Sequence, residues 1–145
     1  MPDGDVIPMR SLSLDAARRV ADGAIAAATS AEVAVCIAVC DPSGAAILTL
    51  RMDGAPRLCA GIALNKAYTV ASFNGMPTHN WWPLLADDPA LAHGFPETDR
   101  LVVFPGGVPV IVDGAVVGAI GVSGGSTQQD REFAEAGAGA LRVES

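Results

Sequence analysis

Residues 101–122, LVVFPGGVPVIVDGAVVGAIGV, decide the fold. Three apolar, largely β-branched runs, 101–104, 108–112 and 115–122, are each too short for a helix and are separated by turn residues. Asp113-Gly114, set between two such runs, supplies the two positive-φ positions that a type I′ hairpin requires. Pro105-Gly106-Gly107 makes the turn before it. Strands joined this tightly pair antiparallel, because a parallel neighbour needs a crossover of roughly a dozen residues or more.

The same pattern recurs upstream. In 33–40, Val33, Val35, Ile37 and Val39 alternate with Ala34, Cys36, Ala38 and Cys40, giving a strand with one bulky and one small face. Asp41-Pro42-Ser43-Gly44 places Pro second and Gly fourth in a type I turn, so 45–52 return as the hairpin partner. Leu14, Ala17, Ala21, Ala24, Ile25 and Ala28 follow the candidate N-cap Ser13 at helical spacing, which predicts a helix over 14–30. Residues 58–73 hold helix formers and a single charge, Lys66, and predict a helix buried almost all round. The segment 76–96 carries Pro77, Pro83, Pro89, both tryptophans and both histidines, and reads as short helices with irregular chain. Thr127 with Asp130 resembles a capping box opening a last helix to about residue 141. The order α-β-β-α(n)-β-β-β-α predicts an α+β fold, a five-stranded antiparallel sheet flanked by helices. Residues 1–10 read as a flexible N-terminal segment and 11–145 as one domain.

Composition narrows the function. The 145 residues are 50% hydrophobic, enough for one buried core and too few for two ordinary domains. The first ten residues lack the basic start and apolar run of a secretory signal, and no apolar stretch reaches the ~20 residues of a membrane span. A net charge of -7 and a pI near 4.5 oppose nucleic-acid binding, which relies on clustered cations. Cys36, Cys40 and Cys59 form no CxxC pair and read as reduced thiols of a cytoplasmic protein. Only 17% of residues are charged and the mean hydropathy is +0.37. That is more apolar surface than a lone small domain hides, so a homo-oligomer is expected.

Several residues could carry chemistry. Lys66 shares a helical stripe with Cys59, Ile62, Val70 and Phe73. Either its stem packs while the ammonium snorkels out, or the amine holds an anion or acts as a base. Arg51 and Asp53 close the second strand and either pair with each other or leave Arg51 free to fork onto a carboxylate. The glycine-rich stretch 118–125 precedes a helix start, where free N–H groups favour an anion. Its spacing fits neither GxGxxG nor a P-loop, and close sheet packing at Gly118 and Gly121 explains it equally. His79 and His93, among Trp81, Trp82 and Phe95, serve packing or else supply an axial ligand and an apolar wall to haem. HExxH, paired Cys/His motifs and a nucleophile elbow are absent, so nothing identifies a zinc or serine-hydrolase site.

In their order and spacing, several segments together resemble the GlcG/HbpS family, whose fold also occurs as the C-terminal domain of PduO-type corrinoid adenosyltransferases. They are Ser13-Leu-Asp-Ala, Asp41-Pro-Ser-Gly, Arg51-Met-Asp53, Asn65-Lys-Ala67, Phe104-Pro-Gly-Gly-Val-Pro109, and Gly118-Ala-Ile-Gly-Val-Ser-Gly124 with Asp130. The resemblance implies a profilin-like fold, symmetric oligomers, and a polar pocket at Lys66 and the turn Pro105-Gly106-Gly107. Some members bind haem. The Trp-rich 80–83 stretch departs from the family pattern and implies a pocket adapted to another ligand. The expectation is a small-ligand-binding protein for haem or another carboxylate-bearing apolar ligand, at a pocket in a homo-oligomer. Lys66, Arg51, Asp53, Trp81, Trp82, Pro105, Gly106 and Gly107 are its expected ligand-binding residues, with His79 or His93 as the metal ligand if haem binds. The alternative is a cofactor-independent enzyme acting on a small organic acid or carbonyl intermediate, with Lys66 as base or anion clamp.

Overall fold

Ser13 starts the first helix: its side chain accepts a hydrogen bond from the Ala16 N–H at 3.0 Å, and α1 runs over Leu14–Ser30. The computed structural model describes residues 4–141. Strands β1 (Cys36–Cys40), β2 (Ala46–Arg51), β3 (Gly107–Val112) and β4 (Ala115–Ser123) form one antiparallel sheet in the order β2-β1-β4-β3. Helix α2 (Cys59–Ser72) covers one face, and α1 with α5 (Thr127–Gly139) covers the other. Between β2 and β3 the insert folds into α3 (Trp81–Leu85), α4 (Pro89–Gly94) and two 3₁₀ turns, Thr78–Asn80 and Phe95–Glu97.

The two unequal faces of β1 explain the layering. Val35, Ile37 and Val39 pack into the main core with Val110, Ile120, Val122 and Phe133 beneath α1 and α5. Cys36, Ala38 and Cys40 present small side chains to α2, so that helix lies close to the sheet. Gly121 is what lets it in: a Cβ there would run into the carbonyl oxygen of Ala63. Both turns follow their sequence signals. Asp113 and Gly114 have φ of 51° and 78°, as type I′ demands, and Asp41 Oδ1 accepts from the Ser43 and Ala45 N–H groups at 2.8 and 3.1 Å.

Four expectations need correction. The sheet has four strands, because 101–104 is not a strand. Arg100 has φ 67°, and the Val102 N–H donates to Thr69 Oγ1 at 2.9 Å, so an α2 side chain takes the place of a strand neighbour. The last helix is capped by Ser126, not Thr127, with Gln129 completing the capping box. Helix α2 is buried mainly on one face, since Ala60, Gly61 and Ser72 are exposed. Strand β1 starts at Cys36 rather than 33, because Glu32 has φ 59° and the Val33 N–H returns to the Ala28 carbonyl. The expected start of the flexible segment, 1–3, and the end of the domain, 142–145, lie outside the described residues.

Candidate functional site

Lys66 is the only lysine in the chain, and it is fully buried. It does not snorkel to water, and its ammonium has a partner from the opposite layer. Nζ donates to the Val122 carbonyl at 2.8 Å and to Asp130 Oδ2 at 3.2 Å, tying α2 to α5 past the end of β4. The Phe104 ring centroid lies 5.0 Å from Nζ. Because the Ser126–Gln129 box caps α5, Asp130 is free to turn inward, where its Oδ1 accepts from the Gly125 N–H at 2.9 Å.

Gly106 makes room for the ammonium. Its φ is +127°, and a Cβ would lie 2.6 Å from both Nζ and the Val122 carbonyl oxygen. Its carbonyl accepts from the Val122 N–H at 2.8 Å. Burial pushes the Lys66 amine below its ordinary range and the Asp130 carboxyl above its own, while the attraction between them opposes both shifts. Such a pair in a built cradle is a functional-site candidate on physical grounds.

Of the residues singled out from sequence, the structure brings together Lys66 and the turn Pro105-Gly106-Gly107; a Cβ on Gly107 would meet the Lys66 carbonyl oxygen. The others lie apart. Arg51 is exposed at the end of β2, opposite Cys36, which in turn faces Ser123, so two strand spacings of ~4.8 Å separate it from β4. Arg51 and Asp53 form no ion pair with each other. Trp81 is buried, edge-on to Phe73 and Phe95 with both ring centroids at 4.6 Å, and its Nε1 has no hydrogen-bond partner. Trp82 is 65% exposed. His79 Nδ1 is buried without a partner beside a cleft of about 200 Å³ that includes Pro109, Ile111 and Glu135. His93 is exposed on α4.

A cavity larger than the His79 cleft lies elsewhere, and the sequence reading missed it. A groove of about 490 Å³ has Leu12, Ala16, Val117 and Leu141 as apolar lining and Arg10 and Arg19 as cations. Both arginines are half exposed and loosely paired, Arg10 with Asp113 and Arg19 with Asp15, each at 3.5 Å. Arg10 ends the stretch 1–10 read as a flexible segment; two residues on, the Leu12 N–H donates to the Val117 carbonyl at 3.0 Å and ties the start of the domain to β4. The available signal was Leu12 itself, an apolar residue at the N′ position before the Ser13 cap.

Haem needs an axial donor as well as an apolar wall and partners for its carboxylates. The groove offers the last two and has no imidazole, thiol, thioether or phenol among its lining residues. The cleft at His79 falls below the ~300 Å³ at which ligand pockets begin. Neither of these two cavities by itself therefore combines an axial donor with room for haem.

The sequence model of a family described as "Haem degrading protein HbpS-like" matches residues 12–139. Among curated proteins, an uncharacterized 15.0 kDa protein from the dhaT-dhaS intergenic region of Citrobacter freundii is 39% identical over 127 residues, 86% of this chain and 88% of that one. Among solved structures, Klebsiella pneumoniae protein ORFY superimposes with a TM-score of 0.89 at 32% identity, covering 100% of both chains. A PduOC:heme complex superimposes with a TM-score of 0.82 at 26% identity, covering 92% of this chain and 97% of that one.

Proposed function

This chain belongs to the HbpS-like family, and from that premise we propose that it is a homo-oligomeric binding protein for an apolar, carboxylate-bearing ligand of haem's class. The observation that carries the reading is the 490 Å³ groove, with two guanidinium groups over an apolar lining and no axial donor. Its volume falls in the range of small-ligand pockets. Arg10 and Arg19 are held only by loose surface pairs, worth about 0–1 kcal/mol, and can exchange them for ligand carboxylates. The relation to the PduOC:heme complex supports a porphyrin as occupant. Three free thiols support a reducing, cytoplasmic setting. No helix among the described residues is long and apolar enough to cross a membrane.

A ligand held by its carboxylates does not need its metal. Hemin and metal-free protoporphyrin IX are therefore expected to bind with dissociation constants within about tenfold of each other, a gap of ~1.4 kcal/mol. The double variant Arg10→Ala/Arg19→Ala should bind each at least roughly tenfold more weakly, since a hydrogen bond to a charged group contributes about 1.5–3 kcal/mol. His79→Ala should leave both affinities unchanged. Binding of hemin alone, with no measurable protoporphyrin affinity, would overturn this reading.

A second reading draws on the buried Lys66–Asp130 pair. It supports a cofactor-independent enzyme acting on a small organic acid or carbonyl compound, with Lys66 as base or anion clamp.

A further inference from the structure

The basic residues are distributed in a way that ion pairing alone does not explain. The chain has nine Lys and Arg, and among the described residues the single lysine is the one basic side chain that is fully buried. A purely structural buried pair favours arginine, whose fork bonds a carboxylate twice. An amine can do what a guanidinium cannot: lose its proton and add to a carbonyl carbon.

The surroundings suit that chemistry. Nζ has three protons and two oxygen acceptors, Val122 O and Asp130 Oδ2, and over it lies the Phe104 ring. Phe104 is 44% exposed and belongs to 101–104, a segment outside the sheet. Gly106 places no side chain against the ammonium. One half-exposed aromatic ring on an irregular segment thus packs near a buried amine that already has a carboxylate at 3.2 Å. The opposed burial shifts favour passage of the proton from amine to carboxylate.

We propose that Lys66 is a covalent capture site for a small aldehyde or α-oxo acid, opened by displacement of the Phe104 ring, with Asp130 as proton carrier. This rests on the second reading above and is independent of the groove. Asp130 takes one proton from the ammonium, and the neutral amine adds to the carbonyl carbon. A proton moves from nitrogen to the former carbonyl oxygen, giving a carbinolamine. Asp130 returns its proton to that hydroxyl, which leaves as water. The product is a protonated imine carrying the same single positive charge opposite the same carboxylate. No oxidant or reductant takes part, and addition of water reverses the sequence.

The test is reductive trapping of the intact protein with glyoxylate or propionaldehyde plus cyanoborohydride, read by peptide mass mapping. With one lysine, the chain's N-terminal amine is the only competing amine, and it falls on a different peptide. The expected result is an adduct on Lys66, formed roughly tenfold faster in Phe104→Ala, the factor corresponding to loss of a desolvated cation–π contact. Phe104→Leu, which keeps an apolar side chain, should fall between the two. Adduct confined to the N-terminal peptide in all three proteins would overturn the proposal. In a parallel arm, glyoxylate is tested for protection of Lys66 against trinitrobenzenesulfonate. Protection without a trapped adduct overturns imine formation and leaves the anion-clamp reading standing; neither protection nor adduct removes both.

Discussion

At the scale of the residue, the Lys66–Asp130 pair illustrates how a buried charge is tolerated. Each partner meets the other and a backbone group, Val122 O for the amine and the Gly125 N–H for the carboxylate. Removing one partner strands the other. Lys66→Met should therefore cost about 3–5 kcal/mol, measured by urea denaturation, as breaking a buried pair does. The double change Lys66→Met/Asp130→Leu should recover much of that loss, because an apolar pair of similar volume leaves no stranded charge. A double variant no more stable than the single one would show that the pair is not the source of the cost. The burial of Lys66 was legible, since it is the only charge among helix formers in 58–73. Its partner was not, because Asp130 lies 64 positions away and the sequence pattern assigned it to a cap. Arg51 and Trp82 were nominated by type and neighbourhood alone, and neither contacts the ammonium.

At the scale of the element, the legible parts were those whose signal is local. The Asp113-Gly114 and Asp41-Pro42-Ser43-Gly44 turns and the alternation in β1 depend on neighbouring residues, and each formed as its chemistry requires. The segment 101–104 failed for a non-local reason. Its apolar run suits a strand, but the hydroxyl of Thr69 on α2 takes the Val102 N–H that a ladder would need. Gly121 shows the same dependence on distant chain: its missing side chain is what allows α2 to rest on β4. Gly121→Ala must push helix and sheet apart where the contact is backbone to backbone, with no flexible side chain to give way. The expected cost is ~3 kcal/mol, the upper end for overpacking, read as a shift in denaturation midpoint at unchanged slope. Gly61→Ala is the control. A Cβ at that position meets nothing within 4 Å, so the same helix should gain slightly from the better helix former. Equal effects at both glycines would remove the close-packing explanation.

At the scale of the whole molecule, the composition leaves an excess that the single chain does not bury. Trp82, Leu58 and Leu84 are each more than half exposed, although only 17% of the residues are charged. Trp82 is the most informative of these. Its neighbour Trp81 is sealed into the ring cluster with Phe73 and Phe95, while Trp82, one residue on, presents its indole to solvent. A large rigid apolar side chain of this kind typically anchors an interface, and a second copy of the chain is the occupant that the excess apolar composition favours. Light scattering coupled to gel filtration should then give a mass that is an integral multiple, two or more, of the 14.7 kDa chain. Trp82→Glu should shift that mass toward a single chain while the circular dichroism stays unchanged, since Trp82 contributes nothing to the buried core and a glutamate would carry an unpaired charge into the interface. A wild-type protein that elutes at one chain mass at micromolar concentration would sink the oligomer, and the groove and the Lys66 site would then have to function within a single chain.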